Sequence, residues 1–298
     1  MKILLLGKNG QVGWELQRAL APLGELVALD FDSPAPLTAD FSKPESLAAT
    51  VRAVAPQIIV NAAAHTAVDK AESEPEFART LNASAPGVLA REAAALGAWL
   101  MHYSTDYVFD GSGSTPWRED APTGPLSVYG ATKLEGEEAI RASGCRHLIF
   151  RTSWVYAARG GNFAKTMLKL AQERDKLTVI ADQVGAPTGA DLLADLTAHA
   201  LRAALAQPEL AGTYHAVAQG TTSWHGYARH VIEFARAAGQ AIKVAPEAIE
   251  AVATSAFPTP AKRPHNSRLD TSKLRSAFGL TLPPWQVGVE RMLTEVFF

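Results

Sequence analysis

Tyr129 and Lys133 stand four residues apart in Tyr129-Gly130-Ala131-Thr132-Lys133, at the start of a stretch with helical periodicity, so both side chains fall on one helix face. A phenol titrates at about 10 and is a poor acid–base catalyst at neutral pH, but an adjacent ammonium favours phenolate and lowers that value. The pair reads as a proton relay with a depressed phenol. Upstream, a strand runs into Tyr103-Ser104-Thr105-Asp106-Tyr107. The Thr105 hydroxyl at that strand end is placed to hydrogen-bond the carbonyl oxygen that Tyr129 protonates, orienting the carbonyl for hydride attack.

A hydride needs a donor, and the first residues of the chain offer it a seat. The apolar run 3–6 breaks into Gly7, Gly10 and Gly13, and an amphipathic stretch follows over 12–20. Such glycines permit a sharp turn, the approach of backbone N–H groups to a pyrophosphate and close helix–strand packing, while the helix start offers unpaired N–H donors. Asp30 ends the second strand, where an acid can bind an adenosine ribose diol and favour NAD; Lys8 in the glycine turn is suited to a 2′-phosphate. NADH and NADPH therefore both remain open. Asp40-Phe41 can meet the adenine edge, and the small residues of 61–65 let a cofactor lie close. The expected cofactor contacts are Gly7, Gly10, Gln11, Val12, Gly13, Asp30, Asp40, Phe41, Ala63, Ala64, His65, Thr66 and Tyr103, with Tyr129 and Lys133.

These residues require a scaffold of alternating strands and helices. Apolar runs at 25–30, 57–61, 98–104 and 146–151 join the first, separated by helical patterns, which is the signature of a doubly wound parallel α/β sheet of Rossmann type. Ser42-Lys43-Pro44-Glu45 matches a capping box for a helix running to about Val54, and another helix is predicted from Pro75 through Ala95. The segment 110–125, dense in Gly, Ser, Pro and Thr, reads as a loop past a strand end, where such sheets place their sites.

Beyond residue 151 the alternation weakens. Segments 162–174, 191–206, 224–238 and 285–297 read as helices, and 177–180, 213–217 and 242–244 as extended. The expected organisation is a dinucleotide-binding domain over 1–151 and a smaller mixed α/β lobe, mainly substrate-binding, over 152–298, with segments of 176–222 able to return to the first. The stretch 257–268 is proline-rich and carries Lys262, Arg263 and Arg268.

The chain has 28 Lys and Arg against 30 Asp and Glu, a net charge of −2, so no basic field awaits nucleic acid. No apolar stretch has the length of a membrane span, and the first residues read as a strand rather than a signal peptide. Cys145 is the single cysteine, which excludes an intramolecular disulfide and fits a reducing, cytoplasmic setting. His225 and His230 match neither a metal-ligand spacing nor a catalytic dyad and read as structural.

Taken together, the motifs resemble those of the extended short-chain dehydrogenase/reductases, specifically the nucleotide-sugar reductases among them. The resemblance covers essentially the whole chain through Gly7–Gly13, NAAAHTAVD at 61–69, STDYVFD at 104–110, Tyr129–Lys133, RTSWVY at 151–156, Asn162-Phe163, DQVGAPT at 182–188 and RPHNSRL at 263–269. It implies reduction of the C4 ketone of dTDP-4-dehydro-β-L-rhamnose to dTDP-β-L-rhamnose, with Tyr129 as proton donor, Lys133 as the partner that lowers its pKa and Thr105 as the tuner. Thr105, Asp106, Trp154, Asn162 and Arg263 are then the implied substrate contacts. Trp154 has the alternative of core packing, and Arg263 and Arg268 that of solvated charges rather than pyrophosphate ligands. The resemblance also implies a homodimer bridged by Mg2+ at Glu15, Asp191 and Glu295.

Two other functions suit parts of the pattern. A dehydratase or epimerase of the same superfamily recycles its nicotinamide, but dehydratases carry Thr-Asp-Glu where this chain has Thr105-Asp106-Tyr107. A non-catalytic module, like the reductase-like regulatory subunits of methionine adenosyltransferase, has no physical need for an intact Thr105, Tyr129 and Lys133.

Overall fold

The structure is a computed structural model and describes residues 1–297. The five apolar runs form β1 (Lys2–Leu6), β2 (Glu25–Leu29), β3 (Ile58–Asn61), β4 (Trp99–Thr105) and β5 (Arg146–Thr152). A sixth strand, Gly212–His215, pairs with β5, giving a parallel sheet in the order Gly212–His215, β5, β4, β3, β1, β2. Both faces are covered, which is why the strands read as unbroken apolar runs. Ile3 and Leu5 pack with Leu16 and Leu20 of α1 (Gln11–Leu20), whereas Leu4 and Leu6 pack with Leu47 and Val51 of α2 (Pro44–Val54). Helix Ala190–Ala206 joins the α1 layer through Leu193 and Leu201.

Several boundaries differ from the sequence-based expectation. The capping box at α2 does not form: Lys43 is the N-cap, and the Ser42 hydroxyl donates to Asp40 Oδ1 at 2.5 Å. Pro44 alone marks the start. A short helix α3 (Val68–Ser73) precedes the predicted one, which itself splits into α4 (Pro75–Arg79) and α5 (Ala85–Leu96) around a wide π turn at Thr80–Ser84. Pro86 has no N–H for the Asn82 carbonyl four residues back. That carbonyl instead lies against Gly136 of α6 (Val128–Ala142), where a Cβ would come within 2.1 Å of it. The Asn82 side chain accepts from His65 N–H at 2.9 Å and donates to the His65 carbonyl at 3.1 Å, holding the third strand's exit loop.

The outer lobe packs helices Phe163–Glu173, Trp224–Ala237 and Trp285–Phe297 around Tyr227, Val231, Trp285 and Val289. A small parallel pair, Leu177–Ile180 with Ile249–Val252, covers a neighbouring cluster. The expected strand at 242–244 is absent. Val244 is buried there, but Lys243 and Val244 both donate their N–H to the Ala171 carbonyl near a helix end, so the segment pairs with that helix rather than with a strand. Among the described residues no helix is long and apolar enough to cross a membrane. Cys145 is a buried free thiol.

Candidate active site

Helix α6 carries the Tyr–Lys pair and is fixed at both ends. Its first N–H groups are taken by Ser127, which accepts from Gly130 at 3.2 Å, and by Glu72 of α3, which accepts from Val128 at 2.8 Å. Farther along, Arg151 of β5 donates Nε and Nη2 to Glu137 at 2.9 and 2.7 Å, both side chains being almost fully buried. Burial alone would raise the Glu137 pKa, but its bonds to Arg151 hold it below the ordinary value. Losing one partner would strand a buried charge, so this pair ties α6 to the sheet.

The C-terminal end of β4 delivers Thr105 and Asp106 to the same place. The Thr105 hydroxyl accepts from Tyr107 N–H at 3.2 Å, donates to Asp106 Oδ1 at 3.1 Å and reaches the Tyr129 phenol. Burial pushes the Tyr129 phenol up to about 12, partly offset by its Thr105 bond. This corrects the expectation of a phenol depressed by the lysine. Lys133 donates instead to the Tyr103 carbonyl at 2.5 Å, with Nζ 3.3 Å from His102 Nε2, and burial pushes it down to about 8. The phenol therefore stays protonated across neutral pH, as a proton donor must. Asp106 is 1% exposed and burial pushes its carboxyl up to about 6, against the opposing bonds of Ser267 and Thr105.

A cavity of about 820 Å³ opens in front of these groups. It gathers Gly7, Gly10, Gln11, Val12, Asp30, Asp40, Phe41, Ala63, Ala64, Thr66 and Tyr103 with Thr105, Asp106, Tyr129, Lys133 and Trp154. The cleft suits a dinucleotide on one observation above all: α1 begins at Gly10 with no side-chain cap, so its first N–H groups face the cavity beside Gln11 and Val12. Gly13 lies outside the lining and serves packing, since a Cβ there would sit 1.9 Å from the Gly7 carbonyl oxygen. Asp30 is held by Asn9 and Phe31, whose N–H groups each reach a carboxylate oxygen at 2.8 Å. His65 also leaves the expected set: it is buried, tied to Asn82 and edge-on to Phe77.

A second cavity of about 650 Å³ meets the first at Tyr107 and Trp224. Its walls are apolar through Phe163, Met167, Leu170 and Val179 and basic through Arg174, Lys176 and Arg263. Trp154 stacks on Trp224 with ring centroids 3.6 Å apart, from a backbone φ of 49° that a bulky residue adopts only under strain. Such strain at a cavity wall marks a held orientation. Arg263 forms a fork with Asp69, at 3.0 and 2.7 Å, clasping the 257–268 strap to α3. Arg268 is turned to Asn266 Oδ1 at 3.0 Å and lines neither cavity. Asn162 lines neither as well; it caps helix Phe163–Glu173 through Lys165 N–H at 3.1 Å and donates to the Ala157 carbonyl.

Sequence reasoning passed over His102, Tyr107 and Trp224. Only Tyr107, adjoining Thr105-Asp106, carried a local signal. The expected metal ligands do not converge within one chain: Glu15 pairs with Arg18 at 3.5 Å, while Arg291 lies 3.9 Å from Asp191 and 3.4 Å from Glu295. Among the described residues no group of three His, Cys, Asp or Glu is arranged to hold a metal.

The family profile described as RmlD substrate binding domain matches residues 1–298. The chain is 63% identical over 297 residues to dTDP-4-dehydrorhamnose reductase of Shigella flexneri, covering 100% of this chain and 98% of that one. Among solved structures, a dTDP-4-dehydrorhamnose reductase from Clostridium acetobutylicum superposes with a TM-score of 0.89 at 34% identity, over 100% of both chains. One from Bacillus anthracis, solved in complex with NADP, gives 0.87 at 33% identity over 99% of each.

Proposed function

The chain belongs to the dTDP-4-dehydrorhamnose reductase family, and from that premise we propose how its residues divide the work of reduction. The activity is NAD(P)H-dependent reduction of the C4 ketone of dTDP-4-dehydro-β-L-rhamnose to dTDP-β-L-rhamnose, the last step in making that sugar donor. The reduced nicotinamide supplies the hydride when bound. Gly7, Gly10 and the open N-terminus of α1 would hold its pyrophosphate, and Asp30 the adenosine ribose. Tyr129 gives its phenolic proton to the carbonyl oxygen as the alcohol forms. Thr105 hydrogen-bonds that oxygen and sets its approach.

The observation that carries this division is the meeting of the two cavities beside Tyr129. The apolar pocket around Phe163, Met167 and Val179 suits a thymine and deoxyribose, and the cations at its rim suit a diphosphate. Trp154 and Trp224 then offer an aromatic wall to the 6-deoxysugar between the cavities. A dehydratase is disfavoured because the residue after Asp106 is Tyr107, whose ring stands edge-on to Tyr129 at 5.4 Å, leaving no second carboxylate there.

The test is purified protein with dTDP-4-dehydrorhamnose and NADH or NADPH in turn, following nicotinamide absorbance and identifying the sugar. One reduced nicotinamide consumed per sugar is the expected stoichiometry; redox-neutral turnover overturns the assignment. The partner state proposed with it is a homodimer. Because no three His, Cys, Asp or Glu side chains converge among the described residues of one chain, a bridging Mg2+ at Glu15, Asp191 and Glu295 would need ligands from a second copy. Sedimentation with and without chelator decides it: dissociation on chelation supports the bridge, and unchanged mass removes the metal.

A further inference from the structure

The segment 182–188 runs beside the meeting point of the two cavities, and three consecutive residues in it grip both tryptophans and the strap. Gln183, 3% exposed, accepts from Trp224 Nε1–H through Oε1 at 3.0 Å and donates Nε2 to the Thr254 hydroxyl oxygen at 3.1 Å. Val184 pairs on one side with Ser223, the residue before Trp224. On the other it exchanges backbone bonds with the strap, its N–H going to the His265 carbonyl and its carbonyl accepting from Ser267, both at 2.8 Å. Gly185 lies against the Trp154 ring, where a Cβ would come within 2.9 Å of it. A side chain at 185 would have to push that ring aside from its stack on Trp224.

The Gln183 amide has one orientation, fixed independently at both ends. An indole N–H only donates, so Trp224 must face the amide oxygen. At the far end, Thr254 gives its hydroxyl proton to Asp182 Oδ1 at 2.6 Å and its backbone N–H to the same carboxylate at 2.9 and 3.0 Å. Burial works against that carboxylate, but the Thr254 bonds keep it below its usual range, so it is an acceptor at neutral pH. With its own proton committed, the Thr254 oxygen can only accept, and the amide must turn its NH2 towards it. A one-way hydrogen-bond chain results, from Trp224 to Gln183 to Thr254 to Asp182, in which a flipped amide would lose two bonds at once.

We propose that Gln183 is a positioning residue for the sugar: by holding the Trp224 indole it sets the plane of the aromatic wall, and through Thr254 it ties that wall to the segment leading into the strap. The inference deepens the reading of the cleft as a nucleotide-sugar reductase site and rests on it. Trp224 lines both cavities and Trp154 the first, so the plane of the stacked pair decides where a 6-deoxysugar lies relative to Tyr129. Stacking alone leaves two indoles free to slide over one another, whereas a directed N–H bond fixes one of them in its plane. Neither Gln183 nor Thr254 lines the cavity that holds Tyr129, so neither touches the reacting carbon, and their effect on it passes through Trp224.

The hydrogen-bond chain is read first without substrate. In 15N-tryptophan-labelled enzyme, with the Trp224 indole assigned by Trp224→Phe, that N–H is expected to be protected from hydrogen exchange. Thr254→Val, which removes a hydroxyl two hydrogen bonds away, should reduce the protection about fivefold or more, and Thr254→Ser should restore it. Calorimetric titration then shows what the chain serves. Thr254→Val should weaken dTDP-rhamnose by about fivefold or more relative to dTDP, which lacks the sugar, while Thr254→Ser binds both as wild type does. Gln183→Met, of similar length but without the amide, should reproduce the valine variant. An unprotected indole in wild type, or unchanged protection in a folded Thr254→Val enzyme, overturns the chain. Equal weakening of dTDP and dTDP-rhamnose overturns the sugar role and assigns the chain to the strap. If Gln183→Met does not fold, the two variants at the partly exposed Thr254 still decide. A wild-type enzyme that binds neither ligand fails the reductase assignment instead, and the indole readout, which needs no ligand, tells the two failures apart.

Discussion

Glu72 caps a helix to which it does not belong: its Oε1 accepts the Val128 N–H at 2.8 Å, so α3 holds the first turn of α6, one residue before Tyr129. Losing a helix-cap bond costs about 1 kcal/mol, and here the freed turn carries the proton donor. Glu72→Ala should lower kcat by about tenfold, since small displacements of reacting groups are costly, while cofactor affinity stays near wild type. Glu72→Gln keeps an acceptor and should recover most of the rate. Steady-state kinetics on the two variants checks this, and equal rates for both would remove the cap from the mechanism.

Tyr129→Phe removes the proposed proton donor. Turnover should fall by about a hundredfold or more, the usual contribution of a positioned acid, with nicotinamide binding measured by fluorescence left intact. Unchanged turnover would exclude the phenol.

Asp106 gives a pH dependence of stability with a definite sign. Its folded pKa of about 6 lies above an ordinary aspartate, so between about pH 4 and 6 the native state binds more protons than the unfolded one. Its contribution is fully present below that window and is lost as pH rises through it, up to about 3 kcal/mol. Asp106→Asn removes the charge that burial penalises. The variant should therefore melt higher than wild type at pH 7.5 and alike at pH 4, while losing activity with the sugar nucleotide. Thermal melts at the two pH values test it; a variant less stable at pH 7.5 would contradict the sign.

Arg263 has both a structural and a binding duty in this reading. The bond to Asp69 holds the Asp69 carboxyl below its usual range, and the guanidinium lines the second cavity. A charge-assisted bond to substrate is worth about 1.5–3 kcal/mol, so Arg263→Ala should raise the KM for the sugar nucleotide roughly ten- to a hundredfold. Asp69→Asn, which weakens the clasp but leaves the cation, should raise it less. A loss confined to kcat in Arg263→Ala would assign the residue to the strap alone.

The sheet was readable because its strands are buried on both faces, so Ile3–Leu6 and Ile58–Val60 announce themselves locally. The glycine turn, Thr105, Tyr129 and Lys133 were readable for a related reason: their spacing is set within one turn or one helix. What escaped depends on distant partners. The π turn at Thr80–Ser84 needs Gly136 from another helix, and Ile249–Val252 is a strand because Leu177–Ile180 lies beside it. Val244 satisfied the same apolar pattern but its N–H goes to Ala171. His102 has no neighbour in sequence that marks it; only the register of β3 with β4 brings Asn61 to its ring. Trp224 likewise becomes a cavity wall only when Trp154, far earlier in the chain, stacks on it.

The strand Gly212–His215 lies beside β5 although 59 residues, Ser153–Ala211, separate them in the chain. Until it arrives, β5 is an open sheet edge with unpaired backbone groups, an invitation to pair with another chain. During synthesis the sheet therefore cannot close when its first five strands have left the ribosome; it waits until residue 215 of 298 has been made. The sheet edge is thus a timing element, coupling closure of the sheet to emergence of the segment between β5 and Gly212–His215, so that a chain cut short after β5 would be left prone to aggregate.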